Sequence, residues 1–516
     1  MFKFLQRSSA SVVVPEVAQP TGEPKRRTWF GRTMSQLFKS SLVSANDRWT
    51  GTSVSPDQFI TLRQSTLVAR SREQWSNNDY VRAFIRLVRQ NVVGPLGVTM
   101  QAKAETPRGK MDVEANAAIE AAWLEWGKKG NCDVTGKLSW RESQCLAAET
   151  TARDGEFIIR KVYGNDAGPF GFAIQFIDPQ RLPVRFERAQ NKDGSFIRHG
   201  IEYSRYGRAV AYHFTSTDNS DPDYHTYGGN GFIRVPAEEI IHEFIHEMVG
   251  QRRGLPWAST SLFRLHHLQG FEDAAVQNAR AGATKMGFIE WESGFGPEAE
   301  DDTDIAAGIS AEPLSFHELP EGAKFKEFAP QYPNGEFQPF HKAMLRGAAA
   351  GMGVLYNNMA GDLEGVNFSS IRQGTLDERE HWKELQQWLI EAMTSAVYGE
   401  WLKYCLLSGR IITKNGKTLP ADKLNNYRKV SWQPRRWQWI DPRADVVAAI
   451  SSIRAGLTSI SQVIRDQGRD PETVFKEWAA DIEAMKAAGI ADDIVMLFLL
   501  GKPPAPEPNK PNEAEE

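Results

Sequence analysis

The one stretch of this sequence whose residue types and spacing could do chemistry unaided is His242-Glu243-Phe244-Ile245-His246, a full HExxH. On a helix, the two histidines would share a face and bind zinc, with Glu243 as general base. The flanking residues favour a strand instead, because Val235-Pro236 and Gly250 leave room for only a short element. As a strand, Ile241, Glu243 and Ile245 share one face and the histidines the other, which separates the base from any metal. No third ligand follows at the spacing such enzymes use. A zinc metalloprotease is therefore the alternative reading and not the favoured one. Gly416-Lys417-Thr418 resembles the end of a phosphate-binding loop, but the glycine that motif needs first falls on Ile411. A hairpin turn at Asn415-Gly416 explains it better. No GxGxxG, GxSxG or CxxC pair is present, and no two carboxylates are spaced to single out a magnesium site. The expectation is a protein with no catalytic residue, no metal site and no cofactor.

The totals agree with a structural role. The chain has 516 residues, 41% of them hydrophobic, enough for roughly two to four domains. Lys and Arg number 61 against 65 Asp and Glu, a net charge of −4. A protein that grips DNA by its phosphates should be clearly basic, so DNA is expected as a neighbour and not as a tightly held ligand. Cys132, Cys145 and Cys405 are scattered and odd in number, which supports neither a disulfide framework nor a zinc ribbon. The 15 tryptophans suggest large aromatic anchors in cores or interfaces. No run of 18 apolar residues exists, so no membrane span is expected, and the N-terminus lacks the apolar stretch of a secretory signal.

The elements that could position a function lie in the middle of the chain. Leu262, Leu265, Leu268, Phe271, Ala275, Val276 and Ala279 recur at helical spacing, predicting a helix from Trp257 to about Gly282, roughly 40 Å long. An acidic excursion follows, with nine acidic residues and one basic between Thr284 and Glu318. A Gly/Ala-rich helix from Phe340 to Leu355 comes next, with Gly347 and Gly351 at GxxxG spacing, read as close packing in a crowded ring. Tyr356 to Asn367 reads as a polar loop. A second long helix starts near Ser369 or Ser370, where Ser370 and Gln373 are spaced as a capping box, and runs to about Leu407, roughly 55 Å. Rods this long are expected to span something or to pack against copies of themselves.

Around this centre, residues 1–48 read as a loosely ordered arm with eight basic residues against three acidic. Helices are expected between Ser55 and Gly94, from Ala115 to Trp126, and from Ser139 to Arg153 with a capping box at Ser139 and Glu142. Strands are expected at Glu156 to Tyr163, Phe172 to Ile177, Gly200 to Tyr203 and Ala209 to Phe214. Strand-like character returns at Val430-Ser431-Trp432 and Trp437 to Ile440. Helices are expected at Val446 to Ala455, Ser459 to Gln467 and Pro471 to Lys486, the last capped by Asp470 with proline in its first turn. Residues 503–516 read as a Pro/Glu/Asn tail.

Three stretches carry a family resemblance. Gly250-Gln251-Arg252-Arg253-Gly254-Leu255-Pro256-Trp257 leading into a long helix, Val366 to Arg372 with Ser369 and Ser370, and Trp439-Ile440-Asp441-Pro442 occur in an order that resembles the portal proteins of lambda-like tailed bacteriophages, over roughly residues 50–500. The resemblance implies a mixed α+β portal fold. Its parts would be an arm (1–48), an α+β wing (49–256), a first stem helix (257–283), a small clip (284–338), a second stem helix (339–355), a tunnel loop (356–368), a long kinked helix returning to the wing (369–440), a helical crown (441–500) and a tail (501–516).

It also implies a ring, usually of twelve subunits, at one capsid vertex of the virion, assembled in the host cytoplasm. Double-stranded DNA would be packaged, retained and ejected through it. The implied partners are the terminase large subunit, head–tail adaptor proteins, capsid and scaffold proteins; in some relatives the arm is trimmed by a head protease. Tyr356, Asn357, Asn358, Met359, Asp362, Leu363, Glu364, Val366 and Asn367 would form the channel loop. Glu298, Glu300, Asp301, Asp302 and Asp304 would form the docking surface of the clip. A head–tail interaction protein without a pore is the further alternative.

Overall fold

The computed structural model describes residues 54–189, 194–215, 232–283, 287–291, 323–327, 335–437 and 442–490. The chain divides into two units, Met1–Ser55 and Pro56–Glu516, and everything below concerns the second. Helix α1 (Pro56–Asn77) buries Ile60, Gln64, Val68, Ser71 and Gln74, one residue per turn on one face. The Asn78 side chain accepts from Tyr80 N and Val81 N and so starts α2 (Asp79–Val88). A π-helical turn, Arg89–Val93, continues α2 and stops at Gly94, whose φ of +76° a side chain would resist. After β1 (Thr99–Ala102) come α3 (Val113–Trp126) and α4 (Trp140–Asp154). The expected Ser139/Glu142 capping box is present.

The four expected strands form, the first two with the expected ends and the other two each differing by one residue at one end. β2 (Glu156–Tyr163) is the middle of a three-stranded antiparallel sheet between β3 (Phe172–Ile177) and a late strand, Ile240–Phe244. In between, β4 (Phe196–Arg198), β5 (Ile201–Tyr203), β6 (Ala209–Thr215) and β7 (Phe232–Pro236) make a four-stranded antiparallel meander. β8 is the late strand, Ile240–Phe244, and it carries His242 and Glu243.

The central elements depart from expectation in instructive ways. Helix α5 spans Leu262–Ala283 and does not begin at Trp257. Pro256 opens turns closed by Ser259 N to Pro256 O and Ser261 N to Ala258 O, which use the backbone a helix would need. Strands β9 (Gly287–Trp291) and β10 (Ala323–Glu327) pair antiparallel. Helix α6 is Phe337–Gly351, starting earlier than expected because Pro339 is tolerated in a first turn. Its Gly347 and Gly351 are not reserved for neighbours in a ring. A Cβ at Gly347 would run into the Arg264 guanidinium and one at Gly351 into Ser261 Oγ, so the small residues let α6 lie against α5 of the same chain. Ser261 Oγ donates to Ala348 O across that contact at 2.8 Å.

Residues 356–360 are not loop but a helical turn, α7 (Tyr356–Ala360). Helix α8 (Phe368–Leu389) starts one or two residues earlier than expected, because its cap is Asn367, whose Oδ1 accepts from Ser369 N, and not Ser370. Asn holds the extended cap backbone and leaves both serines in the first turn. A π turn, Ile390–Thr394, joins α8 to α9 (Ser395–Leu407). The chain then makes the Asn415-Gly416 turn, with Ile412 bridged to Thr418 and φ of +74° at Gly416. The short α10 (Leu424–Tyr427) precedes β11 (Val430–Gln433), which pairs with β1. Trp437 lies outside any strand, and residues 438–441, with Asp441 and the rest of the expected strand, fall outside the described residues. Helices α11 (Pro442–Arg454), α12 (Ile460–Asp466) and α13 (Pro471–Ala487) follow, the last capped by Asp470.

The second long helix is not a rod awaiting a neighbour. Trp382, Leu385, Leu389, Met393, Val397, Trp401 and Leu402 are all buried within the chain and belong to its main core. Trp123 stacks on Trp126 at 4.8 Å and meets Trp401 edge-on at 4.9 Å, while Trp126 Nε1 donates to Phe172 O. Several of the tryptophans are thus the joint between α3, α9 and the three-stranded sheet. Trp401→Ala should cost about 3–5 kcal/mol, the range for emptying a packed aromatic site. Urea unfolding followed by circular dichroism measures it, and a loss under about 1 kcal/mol would contradict this account of the core.

Candidate functional site

The stretch between the sheet and α5 is built as an anchor. Gly250 turns the chain at φ of +82°. The Gln251 side chain then closes the turn from inside: its Oε1 accepts from Glu247 N at 2.8 Å and Met248 N at 3.1 Å, and its Nε2 donates to Arg253 O at 2.8 Å. Arg253 is 1% exposed. It forks onto Glu156 at the start of β2, with Nε to Oε1 at 2.8 Å, and its outer nitrogens donate to Leu182 O, His199 O and Pro179 O. Gly254 N donates to Glu156 Oε2 at 2.8 Å, and His242 Nε2 to the same oxygen at 3.0 Å. Gly254 lies so close to Gly155 that a Cβ on either would strike backbone. The Glu156 carboxylate has every lone pair engaged. Burial alone would push it up, but the Arg253 guanidinium and the His242 bond outweigh burial and hold it at about 2.

This geometry settles the HExxH. His242 lies on a strand, bonded to Glu156. Burial pushes the Glu243 carboxyl up to about 7. His246 lies beyond the strand, its ring 4.4 Å from that of Phe244. The helical face a metalloprotease would use is not formed, and His242 serves the anchor.

From the anchor, α5 runs out along α6. Leu262, Leu265 and Leu268 are buried against the body. Farther along, Phe271 and Val276 on α5 and Phe340 on α6 are 38%, 50% and 48% exposed. Phe271 packs on Phe337 and Phe340 across the pair, and His341 sits between Tyr80 and Glu272. In chain order β9 and β10 lie between α5 and α6. Glu298, Glu300, Asp301, Asp302 and Asp304 lie outside the described residues.

The residues expected to line a channel are brought together, and most of their polar groups are engaged at home. Asp362 accepts from Tyr356 Oη at 2.7 Å, from Glu364 N at 3.0 Å and from Lys342 Nζ at 3.1 Å. The Tyr356 and Glu364 bonds, then Lys342, hold its carboxyl at about 2. Asn357 Nδ2 donates to Asp362 O at 2.6 Å. Asn358 and Leu355 N donate to the buried Glu378 on α8, and Asn367 is the α8 cap. Met359 is buried. Lys342 Nζ also reaches Glu364 at 2.9 Å. Leu363 and Glu364 face solvent, between Gly361 and Gly365, both at φ of +66°. Of the other motif residues, Ser369 and Ser370 are exposed, Arg372 pairs with Asp445 of α11 at 3.3 Å, and Pro442 opens α11.

Comparison with known proteins places this arrangement. Residues 44–386 match the family described as phage portal protein, lambda family. The chain belongs to the lambda family of phage portal proteins. It is 34% identical over 479 residues to a probable portal protein of Halomonas phage phiHAP-1, covering 91% of this chain and 90% of that one. It is 21% identical to portal protein B of Escherichia phage lambda, covering 86% and 88%. Among solved structures, the neck of an empty gene transfer agent particle computed with C6 symmetry matches at 15% identity and a TM-score of 0.42, covering 79% of this chain and 94% of that one. The virion of the native gene transfer agent matches at 14% identity and a TM-score of 0.40, covering 86% and 100%. Portal-family proteins are structural parts of the bacteriophage virion, at its head–tail connection.

Sequence reasoning found the anchor motif through its resemblance alone. It missed Glu156, 97 residues away from Arg253, and the pairing of Arg72 with Asp154 and Asp178 at 2.8 Å that ties α1 to the end of α4. Arg253→Gln should cost roughly 3–5 kcal/mol at pH 7, because it strands a buried carboxylate. The deficit should shrink toward pH 4.5. Without its cation Glu156 is raised, and a raised carboxyl begins to destabilise as pH rises past its ordinary unfolded value and does so fully above its folded value, whereas the depressed wild-type group keeps its contribution until pH falls from the ordinary carboxylate range toward about 2. Urea titrations of both proteins at the two pH values check this; an unchanged deficit counts against a buried charge pair.

Proposed function

We propose that the chain assembles, usually as twelve copies, into the portal ring at one capsid vertex, through which double-stranded DNA is packaged, retained and later ejected. The carrying observation is that the range of the family match, residues 44–386, takes in the anchor motif, the helix pair and the Tyr356–Asn367 segment. The helix pair is then the stem (257–283 and 339–355), with β9, β10 and the acidic stretch as the clip (284–338). Residues 49–256 are the wing, 356–368 the tunnel loop, 369–440 the long helix returning to the wing, 441–500 the crown and 501–516 the tail. The half-exposed Phe271, Val276 and Phe340 support this, since neighbours around an axis would cover them. Val447 and Ile450 on α11 and Trp478 on α13 are exposed apolar residues of the same kind in the crown.

The charge fits the task. A channel that lets DNA slide must not collect phosphate contacts, because each adds affinity and therefore friction. A net charge of −4 and a loop tip of Leu363 and Glu364 meet that need. The energy for transport comes from a partner, the terminase large subunit, docking with the head–tail adaptors on Glu298, Glu300, Asp301, Asp302 and Asp304. Capsid and scaffold proteins meet the outer surface, and assembly takes place in the host cytoplasm before the ring enters the virion.

Class averages of the negatively stained, purified chain should show closed rings with a central hole; monomers or solid particles would refute the ring. Deleting Asn357 to Val366 should leave rings intact while lowering packaged or retained DNA, measured as nuclease-protected genome per head. Wild-type DNA content in heads built with the deleted chain would remove the loop from the mechanism.

A further inference from the structure

A cleft of about 520 Å³ lies apart from the anchor, the helix pair and the loop. Four separate parts of the chain wall it: the stretch after the α2 π turn, α8, the stretch after β11, and the link between α12 and α13. Leu96 and Pro434 give it apolar surface, and Arg379, Arg435, Arg436 and Trp437 line it as well. No carboxylate is among its lining residues.

The arginines are held in place before any ligand arrives. The guanidinium carbons of Arg379 and Arg435 each lie 5.7 Å from the centre of the Trp437 ring, and Trp437 Nε1 donates to Asn91 Oδ1 at 2.9 Å. Arg435 Nη1 donates to Gln90 O and to Asn91 Oδ1, both neutral acceptors, so its charge is not cancelled. Its stem presses on Gly94, where a Cβ would come within 2.9 Å of Arg435 Cβ. The Arg436 stem presses likewise on Gly468, whose φ is +77°. Arg436 Nε is closed off from solvent and has no hydrogen-bond partner among the described residues. Burial, then Arg379, holds the Arg435 guanidinium below its usual range, while Asp445 partly offsets burial at Arg379. Crowding like charges into a partly dry cleft is unfavourable unless an anion completes it.

We propose that this cleft is a phosphate-binding site, in which Arg435 and Arg436 grip the phosphate oxygens and Leu96 and Pro434 accommodate the apolar part of the ligand. Guanidinium forks match tetrahedral oxyanions in two directions at once, which a single ammonium does not. The volume exceeds what one phosphate fills and falls within the usual span of small-ligand sites, about 300–1,000 Å³. The phosphate is that of a free nucleotide or phosphate ion, or that of a DNA backbone passing the cleft. The site stands apart from the ring reading, because titration reads the arginines whether or not rings form.

The test is calorimetric titration of potassium phosphate into the purified full chain, with chloride holding ionic strength constant. Wild type should bind. Arg436→Gln should bind roughly tenfold more weakly or worse, the scale of one charge-assisted hydrogen bond. Arg208→Gln, on the exposed turn between β5 and β6, should bind as wild type does. Arg436→Lys keeps the charge and the stem but removes the fork, so it should bind between the two, and its unchanged circular dichroism guards against a folding artefact. A short duplex that displaces phosphate from wild type identifies the DNA backbone as the source. A duplex that fails to displace it, where a mononucleotide succeeds, identifies a free ligand. No phosphate binding, or binding that Arg436→Gln leaves unchanged, overturns the proposal. So does a glutamate-rich peptide that binds where phosphate does not, since it would give the arginines to an acidic protein segment.

Discussion

The architecture depends on one buried ion pair and the glycines that allow it. Arg253 and Glu156 are fully enclosed, and burying two charges is unfavourable unless both are completely hydrogen-bonded. Here they are. The guanidinium is shared between a carboxylate and three backbone carbonyls, and the carboxylate also takes His242 and Gly254 N. Such a pair is weak evidence for stability and better evidence for fixed geometry, because any other orientation would leave a charge unpaired. Gly155 ends α4 and Gly254 precedes α5, and their backbones touch. The chain is therefore held at one point ahead of α5, the helix that carries the contact with α6.

The two long helices answer the problem of their length differently. A stripe of large apolar residues at helical spacing says that a face will be covered, but not by which chain. The helix from Phe368 to Leu407 is covered at home, through Trp382, Leu385, Met393, Val397 and Trp401. The α5–α6 pair is covered at home only over its inner part, where Gly347 and Gly351 admit Arg264 and Ser261, and its outer part leaves Phe271, Val276 and Phe340 half exposed. The expectation that rods this long span something or pack against copies of themselves fails for the first, while the outer part of the second leaves its apolar residues open. Membership of the portal family rests on the match over residues 44–386 and not on that argument.

Local chemistry was legible in the sequence where it is self-contained. The Ser139/Glu142 box, the Asp470 cap before Pro471, the Asn415-Gly416 turn and the edges of β2 and β3 need only neighbouring residues, and each formed as expected. The strand reading of the HExxH succeeded because Pro236 and Gly250 bound the segment locally. What was not legible is what depends on distance in sequence. Glu156 and Arg253 stand 97 residues apart, and Gln386 Nε2 reaches back to Asn91 O across 295. Competing local options also misled: Ser370 with Gln373 has the spacing of a cap, but Asn367 reached the free N–H first. The polar character of 356–367 was legible, whereas its helical turn was not, because the residues that fold it, Lys342 and Glu378, lie on α6 and α8.

That division of labour within the loop has a mechanical consequence. Its first half is anchored by buried groups: Met359 is in the core, and Glu378, 8% exposed, accepts from Leu355 N and Asn358. Its second half, between Gly361 and Gly365, is fastened to α6 mainly through the ion pairs of Lys342, which solvent reaches and salt weakens. The same side chains that make the segment polar therefore make it unequal, a fixed base carrying a tip that can leave α6 without disturbing the core. Gly361 and Gly365, both at positive φ, bound that tip.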